Sequence, residues 1–394
     1  MSATGLTAAA QTGLSGAQEQ LASANTGFSF RLLKELAREK PDANIFVSPY
    51  SVSSVLQMVS IGARGQTQQE LQQVLGTAGI NPKDLNDAYR ELNTSLSSQT
   101  NVTLNIANAL WYRLGAQLNP PFVEVNQNCY GATLRALDFS HPESARIMNH
   151  WAAEKTQGKI PTIISPPLSP GTAMIVANAT YFKGTWERQF DPKQTAPRAF
   201  HLLTGSQQSV PMMQQTRSFP YQEGDGFQAV QLAYAGEGLV MQILLPETNS
   251  SVQDLVARVD SGFWQKSVLS RFQERKGTLV LPRFTLRYGA DLKAPLLALG
   301  MKSALSGSAD FSGMSASRLF LSDIKHQSFV EVNEQGTEAA AVTTGVMALA
   351  SFRNQPPPFQ MVVDRPFLFL ISDQRTKCIV FAGLVFAPGG SGHD

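Results

Sequence analysis

Cysteine, charge and long apolar runs are all scarce in this chain of 394 residues. The two cysteines, Cys129 and Cys378, form no CxxC pair, and no histidine spacing completes a zinc site. They read as free buried thiols. That excludes a disulfide framework and leaves the redox compartment open, because a chain this long builds its core without cross-links. Charged side chains make up only 16%, with 32 basic residues against 30 acidic ones. The formal charge of +2 therefore offers no electrostatic footprint for nucleic acid. The longest apolar runs, 239–245 and 378–385, are strand-sized and far short of a membrane span, so no membrane role is expected. The five histidines come with no G-x-S-x-G elbow, H-E-x-x-H helix, phosphate loop or dinucleotide fingerprint, and neither catalysis nor a cofactor or metal is expected. Residues 1–18 lack the basic start and apolar centre of an intact signal peptide, and residues 1–22 are expected to be a disordered lead-in.

What is present is apolar enough, at 43%, for a sizeable core. Helical spacing covers 26–38, where Phe28, Leu32, Leu33 and Leu36 share a face. Ser48-Pro49 supplies a cap and a first-turn proline for an apolar helix ending near Gly62. Further helices are expected at 67–75, 82–96 and 143–156, and a strand at 102–112. After Pro170 the pattern changes to β-branched and aromatic segments bounded by turn residues, at 172–182, 227–234, 238–245, 277–286 and 359–370. No fixed repeat and no long Gly/Ser linker divides the chain, which points to one domain of mixed α+β class. Four N-x-S/T sites, at Asn93, Asn101, Asn178 and Asn249, would accept glycans only in a eukaryotic secretory setting.

The most informative stretch is 331–351, EVNEQGTEAAAVTTGVMALAS. It joins a strand-like start to a long uncharged run of small residues, punctuated by Gly336 and Gly345. Such a segment suits both an exposed loop and a buried strand, which makes it a candidate moving part. One strand register would carry Thr337, Ala339, Ala341, Thr343, Gly345 and Met347, all small or apolar, while Glu338 falls on the other face.

Glu334-Gln335-Gly336-Thr337-Glu338-Ala339-Ala340-Ala341 resembles the hinge of the serpins, the serine protease inhibitor family. Serpin-like patterns recur in order at 44–53 (NIFVSPYSVS), 108–112 (NALWY), 151–160 (WAAEKTQGKI), 178–186 (NATYFKGTW), 245–246 (LP), 281–284 (LPRF), 309–313 (ADFSG) and 364–370 (DRPFLFL). The resemblance implies a serpin domain over 23–388, with three β-sheets, about nine helices, an exposed reactive-centre loop at about 335–358 and a flexible tail at 389–394. It implies a suicide substrate: a serine protease cuts the loop, and the acyl-enzyme is trapped when the loop inserts as a new strand of the main sheet.

By the same resemblance the cut bond lies sixteen residues after Glu334, at Ala350-Ser351. Ala350 would fill a small pocket, pointing to an elastase-like or subtilisin-like target; Leu349 and then Arg353 are the alternatives. Ser48, Ser51, Asn178 and His326 would hold the sheet closed where it opens, and Trp186, Arg283 and Glu334 would guard the end where insertion starts. Gln335 stands where the family often has an acid or a lysine, and Pro356-Pro357-Pro358 makes the arm after the bond long, as a spacer or a second contact surface. The segment 67–96, which binds heparin in some serpins, offers only Lys83 and Arg90, so glycosaminoglycan activation is not expected. A monomer, secreted or alternatively cytoplasmic, is the expected form. The competing expectation is a serpin-fold carrier or chaperone without inhibition, against which the small inward positions of the hinge argue.

Overall fold

The computed structural model describes residues 13–169, 171–236, 238–336 and 356–389. Its first helix, α1 (Gly16–Glu39), begins ten residues before the expected 26. Ser15 closes a capping box with Gln18, and Leu21 buries itself against the core, so residues 16–22 are helix and not lead-in. In α2 (Pro49–Gly62) Ser48 caps the Ser51 amide and Pro49 occupies the first turn, as its sequence indicates. There follow α3 (Gly65–Leu75), α4 (Pro82–Ser97), α5 (Pro120–Tyr130) and α6 (Glu143–Lys155), with nine α-helical segments in all among the described residues. Of these, α5 and the short α7 (Val252–Arg258), α8 (Ser261–Phe263) and α9 (Lys293–Ala298) are not among the expected helices; in α5 polar residues interrupt the apolar face.

Among the described residues fourteen strands build two hydrogen-bonded sheets. They are β1 (Ile45–Val47), β2 (Val102–Arg113), β3 (Thr133–Leu137), β4 (Met174–Gly184), β5 (Ala196–His201), β6 (Gln207–Gly224), β7 (Phe227–Ala233), β8 (Leu239–Pro246), β9 (Gln273–Pro282), β10 (Phe284–Asp291), β11 (Leu321–Val332), β12 (Phe359–Val362), β13 (Phe367–Asp373) and β14 (Ile379–Val385). The three expected sheets appear as two networks because the 18-residue β6 pairs with β5 near its start, β9 along its middle and β7 at its end. Two expected strands each divide. Segment 277–286 breaks at Pro282-Arg283, where the chain leaves the nine-stranded sheet at β9 and enters the five-stranded one at β10. Segment 359–370 breaks around Pro366, which cannot donate to a ladder.

The five-stranded sheet, ordered β10-β11-β4-β2-β3, carries the argument. Its central pair, β11 and β4, is parallel over nine residue pairs from Leu321/Met174 to Val330/Phe182, while the neighbours β10 and β2 run antiparallel to their partners. One face packs on the main core. The other is covered by a second, smaller core in which Trp151 of α6 and Ile160, Ile163 and Ile164 of the following loop bury Ile175, Ala177, Ala179 and Tyr181 of β4. The alternation along β4 thus sends odd residues to one core and even residues to the other, as the pleat requires.

Candidate functional site

The β11–β4 seam is closed at its middle by a row of polar side chains with no charge. Parallel pairing sets His326 beside Asn178, and antiparallel pairing sets Asn178 beside Asn108. The N-terminus of α2 lies over this row. Asn178 donates from Nδ2 to Ser51 Oγ (2.8 Å), Asn108 Oδ1 (2.7 Å) and the Ala107 carbonyl (3.2 Å). The Ser48 amide donates to His326 Nε2 at 3.2 Å, and Ser48 Oγ donates to the Val380 carbonyl at 2.8 Å. Since Nε2 accepts, the ring proton sits on Nδ1 and is donated to Asn178 Oδ1 at 2.9 Å. Burial drives the His326 pKa down to about 3, so the imidazole is neutral at physiological pH. Ser48, Ser51, Asn178 and His326 therefore meet in one network. Asn108, quoted within a motif but given no part in this cluster, joins it and donates on to Ser54; its register beside Asn178 was the signal that reveals it.

The upper end of the seam is built differently. After β11 the chain turns back at once, with Asn333 and Gly336 exchanging both backbone hydrogen bonds. On its other side Gly336 bridges Thr185, the residue after β4. One residue of the returning chain thus already stands between the ends of the two central strands, antiparallel to both. Only glycine serves there: φ is +107°, and a Cβ would collide with the Gly184 carbonyl and the Trp186 amide.

Trp186 fixes this turn with two donors, its amide to the Gln335 carbonyl (2.9 Å) and its indole to the Asn333 carbonyl (3.0 Å). Its ring stacks on Tyr234 at 4.5 Å. Arg283, at the crossing between sheets, donates to Glu334 Oε1 at 2.7 Å, and Thr195 Oγ1 donates to the same oxygen. Burial alone would raise the Glu334 pKa, but these hydrogen bonds outweigh it and hold the carboxyl below its usual value. The Glu334 side chain is 6% exposed and that of Arg283 43%. Trp186, Arg283 and Glu334 are thus one contact group. Thr195 was missed, and nothing in the sequence ties it to a residue so distant in the chain.

The other hinge positions, Thr337, Glu338, Ala339, Ala340 and Ala341, lie outside the described residues, as do Leu349, Ala350, Ser351 and Arg353. In the downstream arm Arg275 donates to the Pro357 carbonyl (3.0 Å), and Phe359 stacks on Tyr221 at 3.8 Å. In α4, Lys83 and Arg90 share one carboxylate, Asp87, at 2.9 and 2.7 Å.

A serine protease inhibitor family model, Serpin, matches residues 23–388. The chain belongs to the serpins. Among curated proteins it is 39% identical to Iripin-2 of Ixodes ricinus, over 94% of each chain. It is 34% identical to the leukocyte elastase inhibitor of Sus scrofa, over 94% of this chain and all of that one. Among solved structures, human thyroxine-binding globulin superposes with a TM-score of 0.86 at 28% identity, covering 95% of this serpin and all of that chain. Protease inhibitors are thus among its relatives. No helix of the described residues is long and apolar enough to cross a membrane.

Proposed function

We propose that this serpin inhibits serine proteases as a suicide substrate, cut between Ala350 and Ser351. The protease serine attacks the Ala350 carbonyl; the bond to the Ser351 nitrogen breaks, that amine takes the proton, and an ester links enzyme and loop. The upstream arm then enters the β11–β4 seam, exchanging one parallel pairing for two antiparallel ones, and carries the protease away before water resolves the ester. The observation that carries this reading is the position of Gly336 between the two strand ends, which makes entry the continuation of a pairing already begun. Ala350 and the likeness to a leukocyte elastase inhibitor support an elastase-like target, with subtilisin-like enzymes as the second class.

The likeness to thyroxine-binding globulin favours a second reading, a carrier of the same fold without inhibition. Mixing the protein with an elastase separates the two. A complex that survives denaturing electrophoresis, with a released peptide beginning at Ser351, supports inhibition. Clean cleavage at that bond with no complex overturns it.

A further inference from the structure

A cavity of about 670 Å³ opens where the loop after α6, residues 159–169, crosses β10 and β11. Its charges do not cancel. Asp291 and Asp323 are both held by Lys325, at 2.8 and 3.1 Å, and Lys40 adds a further positive charge to the lining. Lys159 and Arg287 are left with no carboxylate partner among the described residues. They nevertheless lie together: the Lys159 ammonium is 5.2 Å and the Arg287 guanidinium 4.9 Å from the centre of the same Phe329 ring. Arg287 also donates one Nη1 bond to the Lys159 carbonyl at 2.8 Å, which fixes the fork and leaves its Nε and Nη2 donors for a ligand. Two cations that approach one ring, belong to residues joined by a hydrogen bond and lack a counter-ion, in a space of the size that takes small molecules, describe an anion site.

We propose that this cavity binds a compact polyanion, phosphate- or carboxylate-bearing, between Lys159 and Arg287, and that the bound anion ties the seam shut. The second half rests on the proposed inhibitory function. Lys159 begins the loop that leads into β4, whereas Arg287 lies on β10, which is paired to β11. The Phe329 ring that both approach belongs to β11 and contacts Tyr181 of β4 across the seam at 5.9 Å. An anion held by both cations therefore bridges the two halves of the sheet that the incoming strand would part.

The test is calorimetric titration of the full chain, at low salt, with inorganic pyrophosphate and separately with citrate. One-to-one binding of either anion, weakened at least tenfold by Lys159→Gln and by Arg287→Gln and unchanged by Lys83→Gln, is the expected result. Binding of one anion and not the other identifies which chemistry the site takes. No binding of either, or binding retained in both cavity variants, overturns the site. For the second half, uptake of a synthetic peptide of residues 337–350 is followed by the rise in unfolding temperature. Pyrophosphate should slow uptake several-fold in the parent and leave Arg287→Gln unaffected, and an unchanged parent rate overturns the tie. Neither measurement uses a protease, so failure here and failure of the inhibitory reading are separate results.

Discussion

The middle of the β11–β4 seam and its upper end close the same gap by different chemistry. At the middle every group is neutral and buried, and each polar atom of Asn178 has a protein partner. At the upper end a carboxylate is held by a guanidinium that remains 43% exposed, beside a backbone turn that only glycine can make. A neutral buried network is indifferent to salt and strict about shape. A half-exposed ion pair is tolerant of shape and open to screening. On the proposed mechanism the lock would sit in the middle, and the end where a strand would enter would be the adjustable part.

The comparison breaks most sharply at Gly336. Gly336→Ala places a methyl group against the Gly184 carbonyl and forces a residue with a Cβ into positive φ, a strain on the order of 1–3 kcal/mol. The bridge to Thr185 should be lost, and stable complex per mole of protease cut should fall roughly tenfold or more, each 1.4 kcal/mol being a factor of ten. Titration of residual protease activity measures this. An unimpaired variant would mean that the turn takes no part in entry. The middle is broken by Asn178→Ala, which leaves the His326, Ser51 and Asn108 partners unmatched inside the sheet. A cost of about 3 kcal/mol is expected, visible as a lowered denaturant midpoint and faster opening of the seam. A change below about 1 kcal/mol would show that the row adds little to closure.

Much of this contrast was legible in the residues. Ser48-Pro49 announces a capped helix, and the serpin resemblance of NIFVSPYS and NATYFKGTW implies that Ser48, Ser51, Asn178 and His326 meet at the middle. Pairing partners are another matter. Nothing local says that 178 lies between 108 and 326, because register is a property of strands brought together from far apart. The long β6 was not read at all: its glutamines and serines mask the alternation, and it is held by strands on both sides more than by its own propensity. The crossing at Pro282-Arg283 was likewise read through as one strand, since both halves are apolar and β-branched or aromatic in turn. That error hid why Arg283 stands next to Glu334: it is the residue at which the chain changes sheets.

Acid sharpens the distinction. The folded pKa of His326 is depressed to about 3, so between that value and the ordinary histidine range near 6.5 the unfolded chain binds a proton that the folded one refuses. Stability is full above pH 6.5 and falls as pH drops towards 3, at about 1.4 kcal/mol for each unit inside the window. Unfolding midpoints measured from pH 7 to pH 4 should show this slope in the parent, and it should shrink by about one proton in His326→Gln. If the variant keeps the full slope, the acid response belongs to other groups and the middle of the seam is not its origin.

The smallest effect is expected at the upper end. Glu334 has a folded pKa below its usual value, so its contribution is present above the unfolded carboxylate range and is lost only as pH falls through the lower folded value. At pH 7 Glu334→Gln keeps an acceptor for Thr195 and Arg283 but gives up the charge, and with Arg283 43% exposed the cost should be only about 1 kcal/mol. The informative variable is salt. In the parent, raising ionic strength to molar levels should bring seam opening, followed by peptide uptake, close to that of Glu334→Gln in dilute buffer, because the Debye length shrinks to about 3 Å. Glu334→Gln, with no ion pair left to screen, should show no comparable salt response, whereas Asn178→Ala keeps the Arg283–Glu334 pair and should respond as the parent does. A salt response equal in both variants would mean that the response does not originate at the upper end of the seam.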